Sequence, residues 1–235
     1  ASTPTRCVNR TFVTGASWVA VPAHLRGLLF TENVVRYSPA PTVTESEVIY
    51  EYDVYSDGLA DYLDIVQLDP VRRTAFTTRG NVTKETRTWT ESPDGSSAVT
   101  AAGYDIAGNV TWVTTPKVES ESGPVAATTN FGYTDSFEEN GSLIASKGTY
   151  AFATTITNPE GQSQLRRYHW GSARLVKSRD ANSQWTTYTY DDPLDRLKTV
   201  EPPIGRTEYE YLDYSHQIVT RRRLTGTSYV TNILE

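Results

Sequence analysis

Short runs of alternating apolar and polar residues, separated by turn residues, fill most of the chain. Val48–Asp53, Thr83–Thr90, Val110–Thr114, Trp185–Tyr190 and Thr207–Tyr211 each place apolar or aromatic side chains at every second position. A period of two puts those side chains on one face of a strand. Turn signals punctuate the runs: Pro39-Ala40-Pro41, Ser56-Asp57-Gly58, Arg79-Gly80-Asn81, Pro93-Asp94-Gly95, Ala107-Gly108-Asn109, Ser122-Gly123-Pro124, Asn140-Gly141, Asn158-Pro159-Glu160-Gly161 and Pro202-Pro203-Ile204-Gly205. Asn-Gly, Asp-Gly and Gly-Asn supply the positive φ of tight hairpins. The pattern predicts an all-β chain of many short antiparallel strands. Helical periodicity is weak and is read only as a turn or two over Gly58–Leu68 and over Ala23–Leu29.

One hairpin-sized pattern recurs in the last third. Gly161-Gln-Ser-Gln-Leu-Arg-Arg-Tyr168-His-Trp170-Gly171 is followed by Asn182-Ser-Gln-Trp-Thr-Thr-Tyr188-Thr-Tyr190-Asp191, and then by Gly205-Arg-Thr-Glu-Tyr209-Glu-Tyr211. Trp170, Tyr190 and Tyr211 return every 20 to 21 residues. The unit reads as a turn, an aromatic-x-aromatic strand, a second turn and an Arg-Leu strand (Arg174-Leu175, Arg196-Leu197). Looser copies lie earlier, at Tyr50-Glu51-Tyr52-Asp53, Tyr104-Asp105-Ile106-Ala107-Gly108-Asn109-Val110 and Phe131-Gly132-Tyr133-Thr134. Aromatics at i and i+2 share a strand face, so neighbouring hairpins can stack them in a ladder. An aspartate beside the tyrosine can tie down the turn, and an array of such hairpins is quasi-one-dimensional.

These residues resemble the YD repeats of Rhs-type and teneurin-type proteins over roughly residues 48–213. The resemblance implies a β-hairpin strip, an open, curved antiparallel sheet or solenoid-like. In that family long arrays close into hollow β-shells, which enclose toxins in bacterial members and form adhesion receptors in animal ones. A chain of 235 residues is too short to close such a shell alone. The Asp-Pro-x-Gly type self-cleavage motif of bacterial members is absent, since Asp69-Pro70 precedes Val71-Arg72 and Asp192-Pro193 precedes Leu194-Asp195. Neither the self-cleaving activity nor the toxin is therefore carried over.

Residues 1–40 differ from the rest and are read as an extended N-terminal arm ahead of a YD-repeat domain at 41–235. Its apolar positions are Phe12, Val13, Trp18, Val19 and Val21. Such an arm could add a strand to a neighbour or cover an edge of its own body, and both readings stand.

Composition narrows the function classes. Against 28 acidic residues stand 22 Lys and Arg, a net charge of −6, which argues against nucleic acid; Arg221-Arg222-Arg223 is a lone basic run. No run approaches the roughly 18 apolar residues of a membrane-spanning helix. A single cysteine, Cys7, allows no internal disulfide, and with three histidines it argues against structural zinc. No methionine occurs, so the chain is expected to be processed or to be part of something longer. Richness in Thr, Ser and Asn suits an extracellular or cell-surface setting. His24, His169 and His216 lack a nucleophile partner, Asp191/Asp192 and Glu138/Glu139 lie in turns, and Asp53, Asp57, Asp61 and Asp64 lack calcium-loop spacing. No enzyme activity and no cofactor are expected. Trp89, Trp112, Trp170 and Trp185 are the candidates for stacking on surface glycans; Asn9, Asn81, Asn109 and Asn140 head glycosylation sequons.

Three functions follow. One is a non-enzymatic, secreted or cell-surface structural or adhesive protein that self-associates through strand edges into an extended, filamentous assembly. Another is a fragment of a larger Rhs-type toxin-enclosing or adhesion-receptor shell. The last is a carbohydrate-binding module.

Overall fold

The computed structural model of the chain describes residues 6–15, 18, 25–37, 42–89, 97–118, 125–225 and 228–234. Over these the protein is all-β: seventeen strands and two single-turn 3-10 helices, Pro70–Arg72 and Asp213–Ser215. The chain divides into two compact units, Ala1–Phe131 and Gly132–Glu235.

The first unit is an open antiparallel meander. Its strands are β1 (Arg6–Phe12), β2 (Leu29–Arg36), β3 (Val43–Tyr52), β4 (Val82–Trp89), β5 (Ser97–Tyr104), β6 (Val110–Val118) and β7 (Val125–Gly132). Each pairs with the next in sequence. β1 and β2, both within residues 1–40, pair in antiparallel register from Arg6↔Arg36 to Phe12↔Leu29, and β2 goes on to pair with β3.

The second unit repeats the plan with β10 (Thr155–Thr157), β11 (Ser163–His169), β12 (Leu175–Arg179), β13 (Trp185–Thr189), β14 (Thr199–Glu201), β15 (Arg206–Leu212), β16 (Gln217–Thr225) and β17 (Ser228–Leu234). A small hairpin, β8 (Phe137–Glu139) with β9 (Ser142–Leu143), attaches here through a parallel pairing of β8 with β11. It brings Phe137 against Phe152 and Trp170, and Phe152 stacks on Tyr168 at 4.5 Å. Buried Glu138 is held by Arg167 and Lys177 at 2.8 and 3.2 Å.

Packing is thin. The buried hydrophobic residues among those described are Val35, Leu59, Ile106, Phe137, Tyr150 and Val219. Along β3, β5, β11 and β12 nearly every residue is half-buried, with no alternation of buried and exposed positions. A sheet covered on one face would alternate. The principal strand contacts run between ladder neighbours. Each unit is thus a single β-layer with two partly wetted faces, held by cross-strand pairs more than by a core.

Strand predictions at 48–53, 83–90, 110–114, 185–190 and 207–211 fall on β3, β4, β6, β13 and β15 to within a residue or so, except that β3 begins five residues earlier at Val43 and β6 runs on to Val118. The helical reading of Gly58–Leu68 is corrected: the segment is a series of turns, and Ala60 bridges to Asp105. Its apolar residues Leu63 and Val66 are solvent-exposed, so the spacing that suggested a helical face has nothing to pack against. Of Ala23–Leu29, residues 25–28 are irregular and 23–24 lie outside the described residues, as do Val19, Val21, His24 and the Pro39, Pro93 and Gly123 turns.

Candidate functional site

The repeat constellation is the most organised chemistry in the molecule. In five hairpins a tyrosine at the end of the second strand donates its hydroxyl to a backbone carbonyl at the start of the first. Tyr52 reaches Leu29 O at 2.7 Å, Tyr104 reaches Val82 O at 2.8 Å, and Tyr168 reaches Ala153 O at 3.4 Å. Tyr190 reaches Leu175 O at 3.0 Å and Tyr211 reaches Leu197 O at 2.8 Å. Burial is the main cause that pushes the Tyr52, Tyr104, Tyr190 and Tyr211 phenols above the usual 10.0, so they stay protonated donors.

A register irregularity aims three of these rings, those of Tyr52, Tyr104 and Tyr168. It falls immediately before the aromatic at Thr11/Phe12, Glu51/Tyr52, Gly103/Tyr104 and Arg167/Tyr168. A bulge re-aims the side chain that follows it. Phe12 occupies the same ladder position as the clasp tyrosines, without a hydroxyl. At position 103 only glycine fits, because a Cβ there would overlap the Trp112 indole at Nε1.

Carboxylates tie the turns that follow. Asp105, fully buried, accepts from the Ala107 and Asn109 backbone N–H at 2.9 and 2.8 Å and from Asn109 Nδ2 at 2.9 Å. Gly108 completes this turn at φ +89°. Asp53 gathers the N–H groups of Arg79, Gly80 and Asn81 at 2.6–2.9 Å and the Tyr55 hydroxyl at 2.6 Å. In the Tyr190 hairpin the tying residue is Asp192 and not Asp191. It accepts from Leu194 N at 2.9 Å, Arg196 N at 3.4 Å and the Arg196 guanidinium at 2.8 and 2.9 Å, while Asp191 is exposed. Hydrogen bonds from Arg196 hold the Asp192 carboxyl down to about 2. Asp135 does the same work after Tyr133. It collects the Lys147, Thr149 and Tyr150 N–H groups and the Thr149 hydroxyl at 2.6–3.0 Å. Burial pushes this carboxyl up, and those hydrogen bonds, Thr149 first, outweigh it and bring it below its usual value.

Arginines link successive hairpins. Arg196 lies 4.0 Å over the Tyr211 ring and is bonded to Asp213 at 2.7 Å; Arg174 lies 5.1 Å over Tyr190 and pairs with Asp195. Arg79 works differently. Its guanidinium donates to the carbonyls of Phe76, Ile106, Arg72 and Arg73, pinning the 54–81 connection to the Asp105 turn.

The remaining expected residues are scattered by role. Tyr188 meets the Ser178 hydroxyl at 3.1 Å, Tyr209 N donates to Lys198 O, and Tyr133 follows the end of β7. Trp170 is half-exposed beneath Lys147, and Trp185 lies between Arg167 and Arg179 at 4.4 and 5.7 Å. Phe12, Val13 and Trp18 of the arm line a groove of about 410 Å³ with Phe30, Tyr50 and Tyr52. His169 Nδ1 accepts from Ser172 N at 3.1 Å, and Asn81 Nδ2 is bonded to Tyr55 at 3.0 Å. Among the described residues no group of three or more His, Cys, Asp or Glu could hold a metal ion, and no helix is long and apolar enough to cross a membrane.

Sequence reasoning missed Asp135 and Asp192. The readable signal was Tyr-x-Asp, present as Tyr133-Thr134-Asp135, Tyr190-Asp191-Asp192 and Tyr211-Leu212-Asp213.

No family model matches the chain, and no curated protein does. Among solved structures it is similar to the Photorhabdus luminescens Tc holotoxin pore carrying a TccC3 variant, at TM-score 0.47 and 12% identity over 97% of this chain. It is also similar to TcdB2–TccC3 with Cdc42, at TM-score 0.42 and 12% identity over 94% of this chain. TcdB2–TccC3 without its hypervariable C-terminal region gives 0.43, 12% and 97%. The chain spans 11% of the length of each of these chains.

Proposed function

We propose that this protein is a non-enzymatic structural β-strip, extracellular or at a cell surface, that works by pairing its strand edges with those of further copies to build an extended assembly. The observation that supports this most directly is the single-layer ladder. Its strands bury little on either face and leave Val8, Phe12, Phe30 and Trp89 exposed. A single-layer ladder of hydrogen-bonded strands is a template on which a further strand can pair. Asp53, Asp105, Asp135 and Asp192 are committed to turns and Tyr52, Tyr104, Tyr168, Tyr190 and Tyr211 to clasps, which supports a scaffold role over a catalytic one. The test is light scattering and electron microscopy of the purified chain across a hundredfold concentration range. Mass that grows with concentration supports the reading, and single chains throughout would sink it.

A second reading, a section of the wall of a larger Rhs-type shell, has its own support. Two clasps hand on to the next: Tyr52 pairs with Val82, whose carbonyl takes the Tyr104 hydroxyl, and Tyr168 pairs with Leu175, whose carbonyl takes the Tyr190 hydroxyl. A ladder built this way is the same at every repeat and suits a wall of any length. Together with the YD resemblance this supports a wall section. Monomeric behaviour in the same experiment would favour it.

A further inference from the structure

We infer that the cavity between the β3–β6 sheet and the 54–58 segment is a binding site for a single uncharged pyranose ring. The inference goes beyond the scaffold reading and does not depend on it.

The cavity has a volume of about 150 Å³ and lies within the first unit. Its floor follows from the register. Glu51 is opposite Lys84, Lys84 is opposite Ala101, and Gly103, two residues on, is opposite Trp112. Opposed residues, and residues two apart on a strand, share a face, so this set stands on one side of the sheet. Ala101 and Gly103 carry little or no side chain, which leaves the space. The Trp112 indole rests against Gly103 and walls it. The covering segment is held in place. Val54 N–H donates to the Thr83 hydroxyl at 3.1 Å, Gly58 N–H donates to Tyr55 O at 3.1 Å, and the Tyr55 hydroxyl donates to Asp53 at 2.6 Å. A ligand would therefore enter a formed site and not have to order one. Ser56 and Asp57 in the lining are exposed, so the cavity opens to solvent there.

The occupant follows from size and from the polar groups left over. An apolar cavity of about 150 Å³ takes one benzene molecule, so this one has room for one six-membered ring. Its lining, however, is not apolar. Glu51 Oε1 accepts from Lys84 Nζ at 2.7 Å, which leaves the second carboxylate oxygen and the rest of the ammonium's donors. Asp57 makes no hydrogen bond among the described residues. An apolar ring would strip water from these groups and return no hydrogen bond. Glu51 and Asp57 oppose an anion, and Lys84 opposes a cation. A neutral ring of hydroxyls meets the whole set. Its hydroxyls donate to the carboxylates and accept from the ammonium, while its C–H face lies on the indole.

The full chain is titrated with the methyl β-glycosides of glucose, galactose and N-acetylglucosamine, with tryptophan emission as the readout. At least one should give a saturable change, half-complete at about 1–10 mM, the range within reach of one small ring. Lys84→Met and Glu51→Met keep the stems and remove the polar heads, and each should raise that concentration by about tenfold. Asp57→Asn, in an exposed turn, should raise it by less. Trp89→Phe, on the opposite face of β4, should leave it unchanged. A wild type that saturates with none of the three sugars would overturn the inference. So would a response that survives both Lys84→Met and Glu51→Met, or one that vanishes in Trp89→Phe, since either places the sugar elsewhere. Saturation by ethylammonium chloride in place of the sugars would assign the cavity to a cation and overturn it too.

Discussion

The hydroxyl of Tyr190 donates to the carbonyl of Leu175 at 3.0 Å, and Leu175 is itself the ladder partner of Tyr168, the clasp tyrosine of the preceding hairpin. One residue thus serves two repeats, by its backbone oxygen for one and by its place in the ladder for the other. This joins hairpins that share little core.

Removing one hydroxyl should therefore be felt by the whole unit. Tyr190→Phe leaves the ring and deletes the donor, and a typical intramolecular hydrogen bond contributes about 0.5–1.5 kcal/mol. Tyr188→Phe is the control. Its hydroxyl faces the Ser178 hydroxyl, which can turn to water, so its loss should cost less. Urea unfolding of the two variants against wild type measures the difference, and equal costs would show that the clasp is not special.

Gly103 is fixed by its neighbour across the ladder. The Trp112 indole covers its Cα so closely that a methyl group would overlap Nε1. Gly103→Ala must expel the ring, and overpacking of this kind costs about 1–3 kcal/mol. The expected result is a lower unfolding midpoint with altered tryptophan emission. Unchanged emission would mean that the ring does not rest there.

Much of this fold was legible in the sequence because hairpins are local. Tyr-x-Tyr on a strand and Gly-Asn or Asn-Gly at its end are short-range signals, and β13 and β15 fall where they predict. The clasps were not legible, since the acceptors are backbone carbonyls 14 to 23 residues away and no side chain marks them. Gly58–Leu68 was misread because its apolar spacing mimics a helical face, while its order comes from the Ala60–Asp105 bridge and from the Arg73 guanidinium bonding Asp61 and the Tyr62 carbonyl. Adjacency to tyrosine points to Asp191, one residue short of the Asp192 that ties the turn. The structure uses the residue whose carboxylate reaches the i+2 and i+4 N–H groups, as Asp105 also does.

Several turns carry a non-glycine residue where glycine would be at ease, Ala173 and Ser183 among them. Ala173 has φ +58° and Ser183 φ +65°. The left-handed conformation costs an L-residue about 1–2 kcal/mol, and glycine's greater unfolded-state freedom returns about 0.5–1 of that. Ala173→Gly, exposed and making no side-chain contact of consequence, should raise stability by about 0.5–1 kcal/mol, read as a higher urea midpoint. A lower midpoint would show that the turn is set by something other than backbone strain.

Acid should loosen the second unit through its turn carboxylates. Asp192 is held at about 2, chiefly by Arg196, and Asp135 is also lowered, while an unfolded aspartate titrates near 4. A carboxyl depressed in the folded state contributes stability that is complete above the unfolded value. That contribution is lost as pH falls through the folded one. The window is therefore from about 4 down to about 2. Melting temperature should fall across it, and Asp192→Asn should be less stable than wild type at neutral pH yet show a shallower fall on acidification. A variant whose acid slope matches wild type would place the sensitivity elsewhere, with Asp135→Asn as the next substitution to measure.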